Sequence, residues 1–356
     1  MRFVRLENCT PGMVLGKSIY AALSAIFLRR DSILTQSDIE KLAELGYVGV
    51  YIRDEFSEDI EIEEVVDPVI REQAGSAIAG LFNSAKFADE MKRDNLEEIE
   101  SLIHSIVAQI LENRDSVVSL ASLKTLDNYT YQHSVDVGIL SLIMGREMKL
   151  SREELLDLGR AAFFHDIGKV FVSSDILSKV MDLTPKEFDE MKKHSDYGYT
   201  CLATVLHQPV QVAEAALYHH ERYDGGGYPK GISRDEIPLY SRIIAVADVY
   251  DAITSNRSYR GAFSPSEAYE HIMSNMGTLF APEIVKTFIK KIAPFPVGTS
   301  VSLSDGRKAL VVKNNPNFMM RPFIKILYEK KHSGRQEYID LAHDLGAMSL
   351  TIVSMV

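Results

Sequence analysis

Histidine and aspartate residues recur at the ends of apolar, helix-patterned runs within residues 129–260, and this series constrains the chain more than any other feature. Five of the chain's ten histidines belong to the series: His133, His165, His194, His219 and His220. Two adjacent pairs, His165-Asp166 and His219-His220, belong to the series, and neighbouring residues on a helix point about 100° apart. Such a pair can serve one site only where a helix end abuts that site. We therefore predict helices whose ends converge on a metal centre.

The residue types in the series also limit which metal could bind. Imidazole and carboxylate groups without thiolate suit metals such as Fe, Mn, Zn or Co. An isolated histidine on an apolar helix face is usually a satisfied core residue, and the histidines outside the series are interpreted in that way. Two adjacent pairs at helix ends within one domain are improbable as core filler, so the series favours a metal site.

Composition excludes several classes of protein. The 356 residues are 46% apolar and 25% charged, which is ordinary for a globular chain of two or three domains. A net charge of −11 argues against general binding to nucleic acid or anionic membranes, which requires a basic surface. Cys9 and Cys201 lie far apart in the sequence, which indicates a reducing compartment. The apolar run 19–28 is too short to span a bilayer, and we expect a cytoplasmic protein.

A change of apolar period along the chain predicts a multidomain fold with a central all-α helical domain. A small α+β domain precedes it, and a small antiparallel β module follows it. The predicted boundaries are 1–67 for the α+β accessory domain with its acidic linker, 68–118 for a helical linker, 119–292 for the all-α domain and 293–356 for the β module.

Local signals refine this division. Residues 54–67 are crowded with carboxylates, and we expect them to be solvated. The helices of 68–118 could form a homodimer seam or pack on their own domain, and no sustained heptad repeat decides between the two. Local patterns also predict where particular helices and strands begin. Thr184 and Ser264 each begin a capping box with proline at the first helical position. Strands are predicted at 14–15, 26–28 and 48–52, and in the β module at 301–303, 309–312 and 323–327.

The order His133, His165-Asp166 and Asp248 resembles the HD superfamily of metal-dependent phosphohydrolases. The additional His194, the pair His219-His220 and the segment Asp-Gly-Gly-Gly-Tyr-Pro at 224–229 resemble its HD-GYP subfamily, which hydrolyses the second messenger cyclic di-GMP. The resemblance covers roughly residues 119–290. More weakly, residues 1–52 are similar to an accessory domain that is often fused to it.

The resemblance implies two divalent transition-metal ions, commonly iron, with manganese as an alternative. The implied ligands are His133, His165, Asp166 and Asp248 for one ion, and Asp166, His194, His219 and His220 for the other, with Asp166 bridging. Two departures from the family pattern occur. Tyr129 stands where some members carry a glutamate for a third ion, and Ser195 stands where a proline is usual. We expect two ions rather than three.

The resemblance further implies hydrolysis by a hydroxide held between the two ions. Asp166 and Lys169 would be the catalytic residues. Asp251 lies three residues past Asp248 on the same helix face, so it could orient one of the metal ligands. Substrate contacts are implied for five residues: Lys169, Gly226, Tyr228, Arg257 and Arg260. For the two arginines, the alternative is a pair of solvated charges. Signalling proteins could dock at the Gly-Tyr-Pro loop.

Together these features predict a cyclic di-GMP phosphodiesterase that yields pGpG and, with further hydrolysis, GMP. Two alternatives stay open from the residues alone. One is a phosphodiesterase for another cyclic dinucleotide or nucleotide. The other is a catalytically weak receptor that binds a nucleotide and signals through residues 1–52 or 297–356.

Overall fold

The fold was analysed in a computed structural model that describes residues 1–20, 26–45, 47–84, 89–113, 129–179, 181–255, 263–328 and 337–356. Its elements form a small N-terminal α+β unit, a large helical part and a C-terminal sheet. The fold class predicted from the sequence is therefore confirmed. Among the described residues, no helix is both long and apolar enough to cross a membrane.

The N-terminal unit contains one helix and five short strands. Its elements are β1 (Arg2–Arg5), β2 (Val14–Leu15), β3 (Ile19–Tyr20), β4 (Ile26–Leu28), α1 (Gln36–Glu44) and β5 (Gly49–Arg53). Strand β5 lies between β1 and β2 in one antiparallel sheet, and β3 pairs with β4 in another. Thr35 begins α1 with a capping box, because its side chain and that of Asp38 each accept from the other's backbone N–H. The strands predicted here are confirmed, with the last one displaced by one residue.

Residues 54–67 expose most of their carboxylates, as expected of a solvated segment, but their apolar side chains pack against the rest of the protein. Ser57, Ile60 and Val66 are buried. Asp59 accepts hydrogen bonds from Lys325 Nζ at 2.8 Å and from the Tyr338 hydroxyl at 2.5 Å. These contacts join the segment to the C-terminal sheet across more than 260 positions of sequence, and no local pattern of carboxylates could have predicted them.

The helical part runs from the end of this segment to residue 291. Its helices are α2 (Pro68–Ser84), α3 (Asp89–Glu112), α4 (Tyr129–Glu147), α5 (Arg152–Phe164), α6 (Ser174–Leu177), α7 (Pro185–Lys192), α8 (His194–Thr200), α9 (Val210–Tyr218), α10 (Leu239–Thr254), α11 (Pro265–Ser274) and α12 (Pro282–Lys291). The predicted capping boxes at Thr184 and Ser264 begin α7 and α11. One hydrophobic core extends from Val65 to Ile292.

Helices α2 and α3 bury their apolar faces within this chain. Leu81, Ile99, Ile103 and Ile110 are at most 1% exposed and belong to the same core as α4 and α5. This packing favours the second of the two alternatives, since a homodimer through these helices would have to use other side chains. The proposed boundary between 118 and 119 falls outside the described residues, and the elements on either side of it share one core.

The C-terminal module is a five-stranded antiparallel sheet. Its strands are β6 (Ser300–Leu303), β7 (Lys308–Lys313), β8 (Phe323–Leu327), β9 (Tyr338–Asp340) and β10 (Ile352–Met355), in the order β10-β6-β7-β8-β9. The three predicted strands form its centre. The two edge strands were not predicted, because they are short and owe their pairing to partners distant in sequence.

Candidate metal centre

The predicted metal-binding residues come together from five helices and one turn. His165 is the C-cap of α5, and His219 is the C-cap of α9, so both lie at helix ends as the sequence suggested. His194 begins α8, while His133 and Asp248 lie within α4 and α10. The 3₁₀ helix Ile167–Phe171 follows Asp166 directly.

The ligand atoms of these residues form two groups, and within each group they lie within 4.8 Å of one another. The first set is His133, His165 and Asp248, and the second set is Asp166, His194, His219 and His220. This division agrees with the one that the family resemblance implied, except that Asp166, which the resemblance assigned to both ions, is grouped here with the second set alone. Whether each residue binds an ion stays a prediction.

Asp166 lies between the two sets, and each of its oxygens faces a different one. Oδ2 is 3.4 Å from Nε2 of His165 and 4.0 Å from Nε2 of His133. Oδ1 is 3.6 Å from Nε2 of His194 and 3.9 Å from Nε2 of His219. A carboxylate in this position can share two cations, which is the arrangement that a two-metal site requires.

Four of the five imidazoles are oriented by a hydrogen bond at Nδ1. His165, His194 and His219 approach the carbonyl oxygens of Ala162, Met191 and Ala216 at 2.7, 2.7 and 2.9 Å. Nδ1 of His133 lies 2.8 Å from Oδ2 of Asp251. In the neutral form of each ring, an acceptor at Nδ1 places the proton on Nδ1 and leaves the lone pair of Nε2 free to bind an ion.

Buried atoms without a partner show that the cluster fits a cation. Nε2 of His165 and Oδ1 of Asp166 are fully buried and have no hydrogen-bond partner among the described residues. Buried polar atoms are almost always satisfied, and leaving one unsatisfied costs about 1–3 kcal/mol. Both atoms are ligand types for a divalent transition metal, and each belongs to one of the two sets, so the residues present fit such ions.

Two carboxylates flank His133 and change its protonation. Nε2 of His133 lies 3.1 Å from Oδ1 of Asp248, on the side opposite Asp251. Burial disfavours the charged imidazole, but the two carboxylates outweigh it and raise the pKa of His133 to about 10. The same contact holds the pKa of Asp248 below its ordinary value, against the effect of its burial.

In the second set, the pKa values of the histidines are lowered rather than raised. Burial lowers the pKa of His219 and brings that of His220 to about 3, and the neighbouring imidazoles add to the effect. Both rings are therefore neutral at physiological pH, which is the form that binds metal. Burial works to raise the pKa of Asp166, but the charges of Lys169 and His165 outweigh it and hold that pKa well below the usual range.

Lys169 extends from the 3₁₀ helix onto the shared carboxylate, with Nζ 2.5 Å from Oδ2 of Asp166. Its side chain is 31% exposed, so the ammonium lies at the border between the cluster and solvent. The contact of the Lys169 ammonium with Asp166 is consistent with the role predicted for this lysine, which stays a prediction.

Gly168, the residue before Lys169, allows the 3₁₀ helix to approach α8, because a Cβ there would come within 1.9 Å of the His194 carbonyl oxygen.

Some predicted residues cannot be placed. Arg257 and Arg260 lie outside the described residues, and so does the side chain of Tyr129.

The other residues predicted near the site are placed by the structure. Tyr228 packs on His220, with ring centroids 4.7 Å apart. Gly226 is exposed, and its N–H donates to Asp224 at 2.9 Å. Ser195, at the position where the family usually has proline, is buried while His194 keeps its place in the second set.

Two buried charged residues were missed by sequence reasoning. Glu221 is 3% exposed, and its Oε1 accepts from the backbone N–H groups of Lys230 and Gly231 at 2.7 and 3.0 Å. Asp136, one turn after His133 on α4, is fully buried and accepts from Arg71 Nε of α2 at 2.9 Å. A carboxylate within an apolar helical run was the available signal for Asp136.

The fold and the site together define a helical domain in which histidines and aspartates from several helices build two adjoining metal-ligand sets. The chain belongs to the HD domain family: the family model described as HD domain matches residues 106–284, about half of the chain. A second model, described as KOW domain associated with HD domain, matches residues 300–355, which contain the C-terminal sheet.

Two named phosphodiesterases are similar in sequence to this chain. A cyclic di-GMP phosphodiesterase, PA4108 from Pseudomonas aeruginosa, is 33% identical over 259 residues, which are 73% of this chain and 62% of that protein. A 3′3′-cGAMP-specific phosphodiesterase 3 from Vibrio cholerae is 36% identical over 169 residues, which are 47% of this chain and 36% of that protein. The chain thus spans less than two thirds of each of these relatives.

A solved structure shares the fold. Bd1817, described as a HDG"Y"P protein from Bdellovibrio bacteriovorus, superposes with a TM-score of 0.50 and 14% sequence identity, over 80% of this chain and 97% of that protein. At this identity the similarity concerns the fold alone. The family match and the relatives named as cyclic di-GMP phosphodiesterases confirm the resemblance that the motifs indicated.

Proposed function

We propose that this chain is a metal-dependent phosphodiesterase that hydrolyses cyclic di-GMP to linear pGpG and, with further hydrolysis, to GMP. The observation that carries the proposal is the position of Asp166, with one oxygen toward each of two histidine-rich sets. The similarity to relatives named as cyclic dinucleotide phosphodiesterases supports the substrate class.

The two sets would hold two divalent ions, iron or manganese. His133, His165 and Asp248 would bind one ion, His194, His219 and His220 would bind the other, and Asp166 would bind both. Such a pair of ions supplies Lewis acidity and a nucleophile that is active at neutral pH. The protein orients four of the Nε2 atoms, because the acceptors at Nδ1 fix the ring plane and the tautomer that each imidazole adopts when it binds an ion.

Lys169 is the side chain best placed to act on the substrate itself. Its ammonium lies on the shared carboxylate and reaches the solvent border, where a phosphodiester would enter. A cation at this position offsets the charge that develops on the phosphoryl oxygens as one P–O bond forms and the other breaks. The displaced ribose hydroxyl becomes the free 3′ end of pGpG, and the phosphate stays on the 5′ end.

A second cyclic dinucleotide is also a candidate. The similarity to a relative named as 3′3′-cGAMP-specific makes a mixed guanine–adenine dinucleotide the alternative substrate. The two substrates share the phosphodiester chemistry that the ligand sets would perform and differ only in one base. The contacts that choose between the bases are to be sought outside the ligand sets.

The test is anaerobic purification with metal analysis, followed by chromatographic product analysis with cyclic di-GMP and with 3′3′-cGAMP in parallel. We expect two transition-metal ions per chain and faster formation of pGpG than of the linear product from 3′3′-cGAMP. Asp166→Ala serves as the inactive control, since it removes the shared ligand. A faster reaction with 3′3′-cGAMP would exchange the order of the two candidates. Tight binding of cyclic di-GMP without any product would instead favour the receptor.

A further inference from the structure

His220 differs from the other four imidazoles of the cluster in how it is oriented. The other four have an acceptor within 2.9 Å of Nδ1. In the described part of the chain, neither ring nitrogen of His220 has a hydrogen-bond partner. A metal ligand without such a partner needs another means of fixing its ring plane, because a free rotation about χ2 would move the lone pair off the ion.

The Tyr228 ring packs against the imidazole of His220. Its centroid lies 4.7 Å from that of His220, and the two planes differ by 30°. Tyr228 also contacts Phe188, at a centroid distance of 6.3 Å and with the rings nearly perpendicular. The His219 ring is a second neighbour of His220, at 4.0 Å. The plane of the His220 imidazole is therefore restricted by aromatic packing.

The loop that carries Tyr228 is closed by contacts to its own beginning. The backbone N–H of Tyr228 donates to the His220 carbonyl oxygen at 3.2 Å. Glu221, the residue after His220, accepts from the N–H groups of Lys230 and Gly231 through Oε1. Gly227 permits this return, because a Cβ there would lie 2.5 Å from the His220 carbonyl oxygen. The loop therefore begins and ends at the ligand pair.

We propose that the Gly-Tyr-Pro loop is a clamp on the metal ligand His220: Tyr228 orients the imidazole by ring packing, and the buried Glu221 holds the loop in the closed position. Both are positioning residues, and the proposal rests on the proposed two-ion centre. The clamp assigns Tyr228 a role that needs its ring and not its hydroxyl. The hydroxyl forms no hydrogen bond with any described residue, so phenylalanine would preserve every contact that the structure shows.

The experiment is anaerobic titration of the metal-free full-length chain with Mn²⁺, followed by calorimetry and by the electron paramagnetic resonance of unbound Mn²⁺. Tyr228→Ala should weaken uptake of the ion held by the second set about 10–100-fold, the usual effect of losing an orienting partner. Tyr228→Phe should bind both ions as wild type does. Glu221→Ala should weaken the same ion, and Arg222→Ala, which removes only an exposed ion pair with Asp224 in the same loop, should not.

Affinity for the ion of the first set is the internal control for folding, since His133, His165 and Asp248 do not touch the loop. If Tyr228→Ala takes up both ions with wild-type affinity, the clamp is wrong while the two-ion centre stands. Equal losses in Tyr228→Phe and Tyr228→Ala would also overturn it, because the hydroxyl would then be the active group. Uptake of a single ion by the wild-type chain would overturn both the centre and the clamp.

Discussion

Nδ1 of His133 lies 2.8 Å from Oδ2 of Asp251, a side chain 118 positions further along the chain and almost completely buried. The contact links α4 to α10 directly beside the first ligand set. Asp251 lies one helical turn after Asp248, so one helix supplies both a direct ligand and the group that orients a second one. Carboxylate–histidine–metal arrangements of this kind raise the basicity of the ligating nitrogen.

We expect Asp251→Asn to weaken metal uptake by the first set about tenfold and Asp251→Ala to weaken it up to about a hundredfold. Asparagine still accepts the Nδ1–H but carries no charge, whereas alanine removes the acceptor. Mn²⁺ titration of the metal-free protein gives the measurement, and the exposed Asp182→Asn is the matched control. Unchanged affinity in the alanine variant would show that Asp251 does not orient His133.

Asp166→Ala should lower the content of both ions, because the residue faces both ligand sets. Without the shared carboxylate, two cations would lie close together with no negative charge between them. Metal analysis after anaerobic purification, together with turnover of cyclic di-GMP, measures the effect. Retention of both ions at wild-type turnover would contradict the bridging position that we assign to Asp166.

Lys169→Ala should leave the metal content near wild type while kcat falls by roughly a hundredfold, the scale of losing one charge-stabilising donor. Lys169 belongs to neither of the two metal-ligand sets, so its removal leaves every predicted ligand in place. Steady-state kinetics with metal analysis separates the two effects, and the exposed Lys186→Ala is the control. Should the variant lose metal as readily as Asp166→Ala, Lys169 would be a structural partner of Asp166 rather than a catalytic residue.

Gly168→Ala should destabilise the protein by about 1–3 kcal/mol or more, as overpacking does, and should displace His194. The added Cβ would lie 1.9 Å from the His194 carbonyl oxygen and 2.4 Å from the Gly198 nitrogen, and backbone atoms cannot yield as a flexible side chain would. Denaturant unfolding measures the change in stability. Gly346→Ala is the control, because nothing lies within 4 Å of a Cβ there. Equal unfolding midpoints for the two variants would contradict this close approach.

Metal uptake by the first set should release a proton, and uptake by the second set should not. The pKa of His133 is raised to about 10 and that of His220 is lowered to about 3, so at neutral pH His133 carries a proton that an ion must displace and His220 does not. Affinity for the first ion should therefore rise with pH below about 10. Calorimetry in two buffers of different ionisation enthalpy counts the protons, and equal release by both sets would contradict the assignment.

The same shift affects the stability of the metal-free protein. Because the folded-state pKa of His133 lies above its ordinary value of 6.5, the stabilisation from its two carboxylate contacts is fully present below 6.5 and is lost as the pH rises through about 10. Unfolding free energies of the metal-free chain across this interval measure the loss. A His133→Gln variant, which cannot titrate, should not show this component.

The sequence by itself predicted which residues could bind the ions, and it determined the helical character of the part that carries them and the position of His165 and His219 at helix ends. These features depend on apolar spacing and capping groups within one or two turns, and Thr184 and Ser264 confirm how local that information is. Only the tertiary structure decided which oxygen of Asp166 faces which set, that Asp251 orients His133 and that Glu221 closes the loop over His220. It also decided that Asp59 binds Lys325, so that residues 54–67 are packed. Each of these contacts depends on how helices and strands distant in the sequence pack against one another, and that packing is set by the shape of the shared core rather than by any local pattern.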